Sequence, residues 1–142
     1  VGRTTLTDAD LAAAIDAVGA SQWLATLPHG LESPIQSGGR GLASHLVARL
    51  LLAQAIAGTP RLLVMDDFFQ NLEAQTRDSF VELLMDPNRP WTVLAVSHDP
   101  AFLAAADRVV VMRDGTIVAD GPLAKVCETP VARAILGPAV VS

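Results

Sequence analysis

The segment RLLVMDD, residues 61–67, runs four apolar side chains into two adjacent carboxylates, Asp66 and Asp67. A short apolar run of this kind predicts a buried strand, and open α/β sheets gather their ligand sites at the carboxyl ends of such strands. Two carboxylates there can divide the work of phosphate chemistry: one holds Mg2+ while the other polarises a water. A solvated acidic turn after a strand uses the same residue types, so the pair alone leaves both readings open. The segment TVLAVSHDP, residues 92–100, supplies a second strand end. Consecutive parallel strands commonly lie side by side, which would bring His98 near the aspartates, where an imidazole can touch a phosphate. Taken alone, His98 equally suits a cap or a satisfied core histidine.

The elements that must position these residues are legible along the chain. TLTDADLAAAIDAVGA reads as a helix, capped by Thr7, with Asp8 and Asp10 at its positive end and Gly19 closing it. A second short helix, QWLATL, is expected with Ser21 as its cap and a stop at Pro28-His29-Gly30. HLVARLLLAQAIA is apolar on nearly all sides and closes at Gly58 and Pro60, as expected of a buried helix. From Arg61 the pattern alternates: strand RLLVM, amphipathic helix EAQTRDSFVELLM, buried strand WTVLAV, then a short helix at PAFLAAA. RVVVMRDGTIVADG carries Asp114-Gly115 between alternating apolar residues, a strong hairpin signal. The tail to Leu136 reads as helical. The shift near residue 60 divides the chain into a helical part, 1–60, and an α/β part, 61–142.

Composition narrows the partners. The 142 residues are 51% hydrophobic and 18% charged with a formal net charge of −5, which suits one globular domain. Ten scattered basic residues against fifteen acidic ones argue against nucleic acid, whose binding needs clustered Lys and Arg. Cys127, the single cysteine, forms no internal disulfide or cysteine-based metal site and reads as an inert small hydrophobe in a reducing compartment. No apolar run approaches the roughly 18 residues of a membrane span, and no signal-peptide pattern opens the chain. VGRTTLTDADL starts without methionine, as expected of a piece of a longer polypeptide.

In order and spacing, these residues resemble the C-terminal half of an ATP-binding cassette, the nucleotide-binding domain of ABC transporters, over nearly the whole chain. Asp66-Asp67 fall at the family's Walker B Asp-Glu, Gln70-Asn71-Leu72-Glu73 at its SALD loop, and His98 at its switch histidine. The hairpin resembles the segment after that histidine, and LPHGLES, residues 27–33, resembles the LPEGYDT approach of exporter-type members. The resemblance implies an α/β, P-loop NTPase (RecA-like) fold, present in part: residues 1–60 as the helical signature subdomain, and residues 61–142 as the C-terminal half of the core.

Two registers compete for the family signature LSGGQ. QSGGR, residues 36–40, looks closest by eye. The family places its signature leucine about 24 residues before the Walker B aspartate, and Leu42 stands 24 residues before Asp66. Gly38-Gly39-Arg40-Gly41-Leu42 then matches the glycine-rich approach, and Ala43, Ser44, His45 and Leu46 replace Ser, Gly, Gly and Gln. The signature is degenerate in this register: a hydroxyl is lost, and side chains stand where backbone must approach phosphate closely. Asp67 replaces the water-polarising glutamate and is one methylene shorter, so turnover is expected to fall. Phe68 and Phe69 replace small residues and read as packing. No GxxxxGK[ST] loop occurs, and the one lysine, Lys125, has no glycine cradle. The resemblance therefore puts the Walker A loop upstream of Val1.

By resemblance, Asp66 would hold Mg2+, Asp67 and His98 would be catalytic, and Ala43, Ser44, His45, Leu46 and Asn71 would face ATP. The implied partners are a second nucleotide-binding domain, identical or different, and a membrane domain docked near Trp23 to Ser37, at the cytoplasmic side of a membrane. Two functions remain. One is a working part of an ATPase that couples ATP-Mg to transport; the other is a catalytically degenerate dimerisation module. A receiver-like phosphoacceptor domain also pairs carboxylates after a strand, but it needs a lysine on a later strand, which this sequence lacks.

Overall fold

The computed structural model describes residues 6–36 and 40–141. Ser37, Gly38 and Gly39, part of the glycine-rich approach and the end of the expected docking stretch, lie outside the described residues. The chain divides into two compact units, one of residues 1–64 with 71–94 and one of residues 65–70 with 95–142.

The first unit is built on helices α1 (Asp8–Ala17) and α3 (Ser44–Ile56), which pack together. Thr7 caps α1: its hydroxyl accepts from the Asp10 N–H while the Asp10 carboxylate accepts from the Thr7 N–H, a reciprocal capping box. Helix α2 (Ser21–Ala25) departs from the sequence expectation, because Ala20 is its cap residue and no side chain caps it. Ser21 instead donates its hydroxyl to Asp16 at 3.0 Å. A short 3-10 turn follows at Gly30–Glu32. Along α3, Ala48, Leu52, Ala53 and Ile56 are buried while Leu51 is exposed, so this apolar helix buries one face rather than its whole circumference. Arg49 ties the unit together. Its guanidinium donates to the Val18 carbonyl at the end of α1 and lies over the Phe80 ring, 5.7 Å from the centroid, where a cation complements both a helix C-terminus and an aromatic face. Phe80 belongs to α4 (Ala74–Met85) and is 1% exposed.

Strands β1 (Leu62–Asp66) and β2 (Thr92–Val96) form a two-stranded sheet. The Thr92 N–H donates to the Arg61 carbonyl at 2.9 Å, and the Asp67 N–H donates to the Val96 carbonyl at 3.0 Å. Pairing thus advances in the same sense along both strands, which makes them parallel. The expectation of fully buried strands is corrected here: Leu63 is buried, but Val64 is 70% and Leu94 61% exposed. Side chains alternate across a strand, and Leu62, Val64, Leu94 and Val96 are all more than half exposed.

In the second unit, α5 (Pro100–Ala105) leads into β3 (Val109–Arg113) and β4 (Thr116–Gly121). The strands pair antiparallel from Val109↔Gly121 to Arg113↔Thr116. Asp114 and Gly115 both have positive φ, 51° and 76°, as a two-residue primed turn demands. Helices α6 (Leu123–Val126), α7 (Pro130–Leu136) and α8 (Pro138–Val141) complete the tail. Leu103, Val109, Val111, Val126 and Ala132 form the core of this unit. Among the described residues no helix is long and apolar enough to cross a membrane.

Candidate functional site

Because β1 and β2 are parallel neighbours, the acidic pair and His98 emerge at the same end of the sheet. Asp66 is the last residue of β1 and is exposed. Asp67 follows with φ 47°, the left-handed region that costs most residues roughly 1–2 kcal/mol, with Asp and Asn among the more tolerant. Its N–H is fixed by the Val96 carbonyl, and its own carbonyl accepts from the Gln70 N–H at 3.2 Å. Residues 67–70 therefore form a turn with Phe68 and Phe69 at its centre.

Phe69 is 5% exposed and stacks on Phe102 with centroids 4.7 Å apart; Phe68 meets Phe69 edge-on at 5.7 Å. Burying one such ring contributes about 1.5–3 kcal/mol, enough to offset the left-handed conformation at Asp67. The sequence expectation of packing for these aromatics holds, most fully for Phe69.

The His98 segment is fixed from both sides. The Ser97 hydroxyl accepts from the Asp99 N–H at 3.1 Å, and the Asp99 carboxylate accepts from the Phe102 N–H at 2.9 Å, capping α5 with Pro100 in its first turn. His98 stands exposed between these anchors. Asp67, Phe69, Gln70, Ser97, His98, Asp99 and Pro100 line one cavity of about 230 Å³. Small-molecule sites typically run about 300–1,000 Å³, so this open depression is smaller than a site for a whole nucleotide. Ser97 and Asp99 were not singled out from sequence, although Ser-x-Asp-Pro before an apolar run is a recognisable helix start.

The other sequence candidates lie in the first unit. Ala43 is the N-cap of α3 without a side-chain cap, and its carbonyl accepts from the Leu46 and Val47 N–H groups at 2.9 and 3.2 Å. Ser44, His45 and Leu46 form the first turn, with Ser44 exposed and the other two half-buried. Asn71 is exposed with φ 63°.

Among the described residues no cluster of three or more His, Cys, Asp or Glu could hold a metal ion by itself. The exposed carboxylates at the end of β1 do fit Mg2+, which is usually held by one or two carboxylates together with phosphate oxygens and waters.

No protein-family model matches the chain. Among curated proteins it is 34% identical over 113 residues to the type I secretion system ATP-binding protein PrsD of Rhizobium meliloti, covering 79% of this chain and 19% of that protein. It is 34% identical over 121 residues to the ABC transporter ATP-binding protein RamA of Streptomyces coelicolor, covering 85% of this chain and 19% of that one. The chain belongs to the family of ABC transporter ATP-binding proteins. A bacterial Atm1-family ABC exporter with ATP bound shares the fold, with a TM-score of 0.77 at 19% identity, over 89% of this chain and 22% of that one. The chain thus spans about a fifth of the length of each of these ABC proteins.

Proposed function

We propose that this chain is the C-terminal portion of an ABC nucleotide-binding domain that couples ATP-Mg to transport, with the phosphate-gripping loop supplied from outside these 142 residues. One observation carries the reading: Asp66-Asp67 and His98 leave the same end of two parallel strands, and Asp67 and His98 line one small cavity. Asp66 would hold Mg2+, which supplies charge neutralisation on the phosphates when bound. Asp67 would orient the attacking water and take its proton as the new phosphorus–oxygen bond forms and the bond to ADP breaks. His98 would donate to the terminal phosphate. Ala43, Ser44, His45, Leu46 and Asn71 would face nucleotide held by a second nucleotide-binding domain, identical or different.

The membrane domain would dock near Trp23 to Ser37, at the cytoplasmic side of the membrane. Leu31 and Ile35 leave apolar surface exposed in that stretch, at 48% and 45%.

The first turn of α3 favours a second reading, a degenerate module that closes on nucleotide without turning it over. Side chains of Ser44 and His45 occupy the helix start, where close approach of phosphate to backbone needs glycine. Both readings are tested by Mg2+-dependent binding of a fluorescent ATP analogue to the full polypeptide that carries this chain, beside an Asp66→Asn variant. Binding that needs Mg2+ and weakens at least tenfold in the variant supports the site. Absence of nucleotide binding overturns both readings.

A further inference from the structure

The acidic turn and the histidine segment meet through an aromatic contact that nothing in the function above requires. The 67–70 turn sends one side chain into the core, Phe69, and that ring lies against Phe102 of α5 at 4.7 Å with planes inclined by 36°. Phe102 is itself the residue whose N–H the Asp99 carboxylate accepts from, and the Asp99 N–H in turn donates to Ser97. A short path therefore runs from Asp67 through Phe69 and Phe102 to Asp99 and Ser97, the two residues that flank His98. Asp67 keeps a left-handed backbone at φ 47°, which carries a cost even for Asp, so contacts that seat the turn help to hold its shape. Along this path, the buried ring is what anchors the turn to α5.

We propose that Phe69 is a positioning residue: its seat against Phe102 sets the placement of the Asp67 carboxylate relative to His98. This inference rests on the ATPase reading for its catalytic consequence. Its structural content, that the two segments move together through Phe69, stands apart from that reading. Misplacing a reacting group by an ångström can cost on the order of a hundredfold in rate while leaving binding intact. A ring that only filled space would lower stability without separating kcat from KM.

The experiment uses the full polypeptide carrying this chain, as wild type, Phe69→Leu, Phe69→Val and Phe69→Ala. ATP turnover and amide hydrogen exchange across residues 66–70 and 97–102 are measured on the same samples. The proposal expects kcat to fall in the order Leu, Val, Ala, reaching about tenfold to a hundredfold at Ala, with KM within about twofold of wild type. Exchange should accelerate in both segments together, and Phe69→Leu should restore most of both properties. Should Phe69→Ala fail to fold, the Leu and Val variants carry the same comparison. Faster exchange confined to 66–70, with 97–102 unchanged, would overturn the proposal, as would an unchanged kcat in an otherwise active protein. A wild type without turnover would remove the hydrolysis reading alone, and the exchange measurement would then decide whether Phe69 couples the two segments.

Discussion

The backbone N–H of Asp67 donates to the carbonyl of Val96 across 3.0 Å, two residues before His98. This single bond continues the parallel pairing of β1 and β2 past the last strand residue and delivers the acid and the imidazole to one cavity. The side chain it delivers is an aspartate, one methylene shorter than the glutamate of the ABC pattern. Lengthening it should therefore help. Asp67→Glu is expected to raise ATP turnover by the full polypeptide about tenfold or more, since a well-placed general base contributes roughly 10²–10⁴-fold. Steady-state kinetics of the variant checks this, and unchanged or lower turnover would mean that reach is not what limits the acid.

The packing of the first unit converges on Phe80, 1% exposed beneath the Arg49 guanidinium. Phe80→Ala leaves a cavity in that core and removes the ring under the cation. A loss of about 3–5 kcal/mol is expected, measured by urea unfolding, whereas a loss below about 1 kcal/mol would show that the site collapses around the missing ring.

Much of this was written locally in the sequence. Thr7 with Asp10 and Asp114-Gly115 each specify a cap or turn within a few residues, and each element forms where they mark it. The strand ends could be paired because consecutive parallel strands tend to be neighbours. What failed depended on partners that residue type alone does not name. Ser21 carries the right side chain for a cap but is drawn to Asp16, one turn back across the preceding loop. Leu62, Val64, Leu94 and Val96 have the composition of fully buried strands, yet burial depends on what lies over each face, and all four are exposed here. At the candidate site, the nearness of Asp67 and His98 was legible from the order of the strands. The left-handed backbone of Asp67 was not, because residue type does not fix φ, and the Asp67 N–H is engaged by the Val96 carbonyl, a partner far along the chain.

The hairpin offers a test of turn chemistry. Gly115 sits at φ 76° with no atom within 4 Å of an added Cβ, so a substitution meets conformational cost and no collision. Gly115→Val is expected to cost about 1–2 kcal/mol, the penalty for a side chain in the left-handed region. Gly115→Asn should cost much less, because Asn tolerates that region. Equal losses from the two in chemical denaturation would point to a different origin.

Acid should loosen the same hairpin. Arg108 grips Asp120 with two hydrogen bonds of 2.7 and 2.6 Å, and these hold the Asp120 carboxyl below its ordinary value of 3.8. A carboxyl with a depressed folded-state pKa contributes stability above its unfolded value and loses it as pH falls through the folded one. The pair is exposed to solvent, so the effect is modest. Thermal melts of wild type and Asp120→Asn should differ slightly at neutral pH and converge as pH drops below 3.8. A gap that persists or widens in acid contradicts the assignment.

The most direct measurement is Mg-ATP turnover by the full polypeptide carrying this chain, beside its Asp67→Asn and His98→Ala variants, with nucleotide binding followed in parallel. Slow but measurable turnover is expected, lowered by a hundredfold or more in either variant, with ATP still bound. Turnover that survives both substitutions would contradict it, because the acid and the imidazole that share the cavity would then have no part in the chemistry.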